Sequence, residues 1–199
     1  MAYGVSETSI ANAALLRVGS KPITSMDDEN DRADTCKRLY PYVRDSLLTE
    51  HEWGFCIQRA SLSRLVDAPS FGFLYQYQIP GDVLKLIEIY SSTKAFHQFK
   101  WHREGTAILT DQEDISIVYK AKVTDTTQFP ADFRMALESK LAAQIAYPLR
   151  KDARLSQFLY RQSLVDLENA MMSDTREGDF RNVPEEDLDF DFNPLLDVR

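Results

Sequence analysis

The side chains able to do metal, acid–base or nucleophilic chemistry are few in this chain, and their spacing suits none of it well. His97 and His102 stand five apart with Glu104 nearby. A helix gathers metal ligands at i and i+4 and a strand gathers them at even spacing, so the pair reads as surface strand histidines. Asp27, Asp28, Glu29 and Asp31 resemble the start of a calcium loop. Counted from Asp27, however, Arg32 and Arg38 fill the places that require a turning glycine and a bidentate glutamate. Acids favoured by a helix N-terminus explain the cluster more simply, and Asp132 behind Pro130 likewise. His51, between Glu50 and Glu52, reads as a solvated helix end. Cys36 and Cys56 both sit inside apolar patterns and read as reduced, buried thiols acting as small hydrophobes, which fits cytoplasmic synthesis. Tyr75, Tyr77 and Trp101 have the rings to stack on single-stranded bases, but no basic residues interleave them, so sheet packing is the better reading. The sequence has no G-x-S-x-G, no P-loop and no dinucleotide glycine turn. No catalytic, cofactor-binding or metal-binding residue is therefore expected, nor an enzymatic role.

The elements behind these residues are legible from periodicity. Ser6 can cap a helix over 7–18, with Ile10, Ala14 and Val18 on one face and Gly19 as its stop. A second helix, 27–52, takes its cap from Ser25 to Asp28 and its stripe from Ala33, Cys36, Tyr40, Val43 and Leu47. Pro41 predicts a kink or break near Leu39–Tyr40. The helix ends in Trp53-Gly54-Phe55 and passes directly into a strand. Trp53 and Phe55 read as aromatic plugs of this structural junction, with Gly54 in a conformation that lets the chain reverse. The period then becomes two over the sheet region 55–120. Strands are expected at Tyr75–Ile79, Val83–Tyr90, Ala95–His102, Thr106–Thr110 and Ile115–Lys120, forming one antiparallel meander with Val83–Tyr90 at its centre. Gly105 and Asp111–Asp114 supply turns. Helices return at 130–147, with Phe133, Leu137, Leu141 and Ile145 at four-residue steps, and at 152–173, with Tyr160, Leu164, Leu167 and Met171. Their short connection predicts an antiparallel pair.

The expected architecture is α+β: two N-terminal and two C-terminal helices packed with a small central antiparallel sheet in one domain, 1–173, and an extended acidic docking tail, 174–199. The chain of 199 residues carries a net charge of −8. From Asp179 onward, seven acids face only Arg181 and Arg199, which places −5 of that charge in the tail. No Lys/Arg cluster of the kind that grips phosphates is present. In the tail Leu188, Phe190, Phe192, Leu195 and Leu196 are interleaved with acids and cannot bury one another, a composition that suits a segment ordered by docking on a partner. No apolar run approaches the roughly 20 residues that span a bilayer, and no basic-then-apolar leader opens the chain.

Several segments, in this order, resemble the tail tubular protein A family of short-tailed bacteriophages, the adaptor beneath the portal. They are Ile10-Ala11-Asn12-Ala13-Ala14-Leu15 with Val18-Gly19 and Ile23, then Ala33-Asp34-Thr35-Cys36 with Tyr40. Arg44-Asp45-Ser46-Leu47-Leu48 and Trp53-Gly54-Phe55 with Arg59-Ala60 follow. Tyr75-Gln76-Tyr77-Gln78-Ile79-Pro80 with Asp82 comes next, and then Phe129-Pro130, Ala136-Leu137, Leu141-Ala142 and Ile145-Ala146. The resemblance covers Ile10 to about Ser173 and implies a structural virion protein. It would form a homo-oligomeric ring of about twelve copies at the head–tail interface. That ring would join the portal protein to further tail components, nozzle or tube, and line the channel through which DNA passes during ejection without specific binding. Such a protein is made in the host cytoplasm and needs no membrane or cofactor. The competing reading is a stand-alone protein-binding module that recruits a partner through its acidic Phe/Leu tail.

Overall fold

In the computed structural model, which describes residues 5–92 and 99–179, helix α1 (Glu7–Arg17) opens on a reciprocal capping box. Ser6 Oγ accepts the Ser9 N–H at 3.1 Å and Ser9 Oγ accepts the Ser6 N–H at 2.9 Å. It stops at Gly19, whose φ of 72° is costly for any residue with a Cβ, and the Ser20 N–H closes back on the Leu15 carbonyl at 2.9 Å. Helix α2 (Asp31–Glu50) begins four residues later than its acids suggest. Ser25 and Asp28 instead stabilise a preceding turn, accepting the N–H groups of Asp27 and Thr24. The cap is Asn30, whose Oδ1 accepts from the N–H of Arg32 and of Ala33 at 3.1 Å each. The helix also runs unbroken through Pro41. Pro41 forfeits only its own bond to the Lys37 carbonyl, while Cys36, Tyr40, Val43 and Leu47 bury the stripe on both sides of it.

Helix α3 (Ala131–Arg150) continues past Pro148 to a left-handed Lys151. Asp152 then caps helix α4 (Ala153–Asp179) by accepting the N–H groups of Arg154 and Leu155. The two lie antiparallel, as contacts of descending against ascending number require: Ala143 with Ser156, Ser139 with Asp166, Asp132 with Ser173. Helix α4 does not stop at Ser173, so the boundary expected there falls inside a helix. Among the described residues no helix is long and apolar enough to cross a membrane.

The strands form two antiparallel sheets and not one meander. Strands β1 (Ile57–Ser61), β6 (Ser116–Ala121) and β3 (Val83–Tyr90) make one, in the order β1-β6-β3; β2 (Tyr75–Gln78), β5 (Ala107–Thr110) and β4 (Trp101–Glu104) make the other, in the order β2-β5-β4. Of all these pairs only β4 and β5 are sequential, joined across Gly105 at φ 55°. The centre of the first sheet is β6, whose residues 117–121 are all buried, and not the half-buried, bulged β3. The part of the expected Ala95–His102 strand at 95–98, with His97, lies outside the described residues.

The architecture is thus α+β, with the two sheets between an N-terminal and a C-terminal helix pair in chain order. Two cores result. One is helical, built on Ile10, Leu15, Tyr40, Leu48, Phe133 and Leu141 from α1, α2 and α3; the other lies among the strands, with Tyr77, Ile89, Ile108 and Ile117. The first sheet bridges them, since Leu84 of β3 packs on the helical core and Leu86 on the other.

Candidate functional site

The last carbonyls of an α-helix have no partner inside it, and the handover from α2 to β1 is built around that deficit. The chain leaves the helix at an extended His51, and Gly54–Cys56 form one 3-10 turn before the strand. Trp53, 1% exposed, folds back so that its Nε1–H donates to the Leu47 carbonyl at 2.8 Å. Lys120 of β6 donates from Nζ to the Thr49 carbonyl at 3.1 Å, a cation where the helix dipole favours one. Burial first, and then Lys85, hold this ammonium below the ordinary lysine value, with Glu52 opposing them. Aromatic rings complete the corner. Phe133 of α3 meets Trp53 edge-on at 5.1 Å and Phe55 at 4.9 Å, and Phe129 lies 5.0 Å from Phe133. Such pairs add about 0.5–1.5 kcal/mol each beyond their burial.

The fourth wall comes from α4, through a residue that the sequence pattern does not single out. Asp174 places Oδ2 2.9 Å from His51 Nε2, while its Oδ1 accepts the Gly54 N–H at 3.2 Å. His51 is therefore no solvated helix end. It is partly buried, lies 4.8 Å from the Trp53 ring, and engages an acid distant in sequence instead of Glu50 or Glu52. A signal for Asp174 did exist: it stands seven residues after the buried Leu167 and continues the inward stripe. Its charge hid it.

Gly54 is not the reversing residue expected of it. The positive-φ glycines among the described residues are Gly19, Gly72 and Gly105, and a Cβ on Gly54 would meet only Asp174 Oδ1, at an ordinary 3.8 Å. What the position supplies is its N–H. Gly54→Ala should therefore shift the urea midpoint by an amount equivalent to no more than about 0.5 kcal/mol. A loss well above 1 kcal/mol would mean that the corner tolerates no Cβ.

A second polar cluster ties α1, α3 and α4 together. Arg17 Nη1 donates to Ser139 Oγ at 2.5 Å and reaches Asp166 Oδ2 at 3.3 Å; Ser139 itself donates to Asp166, and Gln162 Nε2 donates to Asp166 Oδ1 at 2.9 Å. Burial works against the Asp166 carboxylate, but the hydrogen bonds from Ser139 and Gln162 and the charge of Arg17 outweigh it and hold its pKa below the usual value. The hydroxyl of this Ser–Asp–Arg group is committed to holding helices together.

Elsewhere the candidates separate. Cys36 and Cys56 are free and buried, and burial pushes both thiols up to about 11, well away from the reactive range. Tyr77 is interior, its hydroxyl donating to the Gln112 carbonyl, so it forms no open stacking platform with Tyr75 and Trp101. Asp27 binds Lys37 and Asp34 binds Arg38; His102 lies on the exposed β4. Among the described residues no group of His, Cys, Asp or Glu is placed to hold a metal ion. A cleft of about 730 Å³ between the end of α1, the start of α2 and the end of α3 holds Lys21, Arg32 and Arg150, but also Asp31 and Asp34. Its mixed charge selects neither sign of ligand. Leu188, Phe190, Phe192, Leu195 and Leu196 lie outside the described residues. Compared with known proteins, no family model matches this chain, and no curated protein matches it.

Proposed function

We propose that this chain is a structural virion subunit, a ring-forming head–tail adaptor that joins a portal to the tail components below it and surrounds the DNA channel. What supports the reading most is the corner at Trp53. A subunit that must repeat around a closed ring needs a fixed angle between its parts. Here the end of α2 and the C-terminal helix pair meet at the buried Trp53 and Phe133, with the partly buried Phe55 and Asp174 beside them and Lys120 of β6 bonded to the helix end. A ring closed by rotation also needs two different flanks on each copy. Two separate sets of exposed apolar side chains are available. Leu16 and Tyr42 stand on α1 and α2, and Val66, Phe71 and Leu74 on the loop before β2. The net charge of −8, of which −5 lies from Asp179 onward, leaves the rest of the chain mildly acidic, which suits a conduit that must not trap phosphate.

Light scattering on the full chain, alone and mixed with its portal protein, tests this. The expected result is a portal-bound ring of about twelve copies, held by avidity even where each contact is weak. A soluble complex of one copy with one partner would overturn the ring and favour a stand-alone binding module.

A further inference from the structure

The outward side of α4 carries a ridge of large apolar side chains that nothing among the described residues covers. Phe158, Val165 and Met172 are 64%, 50% and 50% exposed and recur every seven residues, so they stand nearly in line along the helix. The opposite side, with Ser163, Leu167 and Ala170, is buried. Beside the ridge stand Arg154 and Arg161, and Arg176 continues it towards the C-terminus; all three are exposed and form no ion pair among the described residues. Glu168 is the acid set among them. A monomer seldom leaves a contiguous apolar ridge bare unless something binds there.

The sequence directly after this helix has the complementary composition. Glu185, Glu186, Asp187, Asp189 and Asp191 carry the charge opposite to the arginines, and Leu188, Phe190 and Phe192 alternate with the last of them. An extended segment of that pattern turns its apolar residues to one face and its acids to the other. Laid on α4, it would cover the ridge, while the long arginine side chains reach its carboxylates from the flank. The connection is long enough. Val165 lies roughly 21 Å back along the helix from Asp179, and the eleven residues from Asp179 to Phe190 span up to about 36 Å when extended. We propose that residues 187–192 dock on the Phe158–Val165–Met172 face of α4 in the same chain. So short a tether gives the segment a millimolar effective concentration at its own helix, ahead of any second copy in dilute solution. The inference does not rest on the adaptor reading and would hold for a stand-alone module as well.

Limited chymotrypsin digestion of the full chain, without any partner, tests it at Phe190 and Phe192. Cleavage there should be slow in the wild type and independent of protein concentration. Phe158→Glu and Val165→Glu, each at an exposed site, should speed it on the order of tenfold, and Arg161→Glu or added salt should speed it less. Near-ultraviolet circular dichroism of the buried Trp53 confirms that each variant is folded. Equal cleavage rates in wild type and both ridge variants would overturn the proposal. So would protection that rises with protein concentration, which would place the tail on another copy.

Discussion

Trp53→Ala should be the most damaging single substitution in the helix-to-strand corner, lowering stability by about 3–5 kcal/mol, the range for removing a large aromatic side chain from a core. Three losses combine. The indole is 1% exposed, so its removal leaves a cavity bounded by Phe133, Phe55 and His51. The Leu47 carbonyl loses its donor at a helix end where no intrahelical N–H can replace it. The edge-on contact with Phe133 disappears, and with it part of the link between α2 and α3. Trp53→Phe separates these terms, since it restores a ring but no N–H, and should cost about 1–3 kcal/mol, the penalty for an unpaired buried carbonyl. Urea unfolding followed by far-ultraviolet circular dichroism gives both numbers. If Trp53→Ala cost no more than Gly54→Ala, the corner would not be the element that fixes the angle between helices and sheet. The proposed wedge would then lose its main support.

The corner was legible in its aromatics and illegible in its polar half, for a physical reason. Burial of Trp53 and Phe55 follows from side-chain chemistry alone, so position in the chain suffices to place them in a core. The partners of His51 and of the Gly54 N–H are set by tertiary geometry: Asp174 is more than a hundred residues away and looks like any surface acid on a helix. The sheets follow the same division. Alternation located β2, an apolar run with turn residues around it located β3, and short runs between turns located β5 and β6, each to within one or two residues, because these signals are local. Pairing is not local. Nothing within Val83–Tyr90 reveals that the later β6 will take the centre between it and β1, or that β2 will leave to join β5 in a second sheet. Pro41 did not break the helix, a break being one of the two outcomes expected of it. Its local cost is real, but a buried stripe from Ala33 to Leu48 outweighs one missing bond.

Asp166→Ala should be the second most costly change, because it removes the acceptor of the buried Ser139 hydroxyl and the nearer of the two carboxylates beside Arg17, the other being Glu138 at 3.9 Å. Breaking a buried ion pair from one side costs about 3–5 kcal/mol. Arg17, however, keeps 31% of its side chain exposed against 11% for Asp166, and water screens what remains, so about 2–3 kcal/mol is expected. The carboxylate form also predicts a pH dependence of definite sign. The pKa of Asp166 is lowered in the folded chain from an ordinary 3.8, so the folded state binds its proton less readily than the unfolded state does. Its contribution is present above 3.8 and disappears as pH falls through the lower folded value. Asp166→Asn keeps the shape without the charge. The gap between wild type and Asp166→Asn in urea midpoint should therefore be widest near neutrality and close at acid pH; a gap that stayed constant would assign the stabilisation to packing alone. Replacing Arg17→Met, Ser139→Ala and Asp166→Leu together removes the three central members, leaving only Gln162 and Glu138 without their partners, and should restore part of the lost stability. If the triple variant matches wild-type stability but its α1 amides exchange faster, the cluster serves to fix where α1 seats on α3 and α4, and adds little net stability of its own.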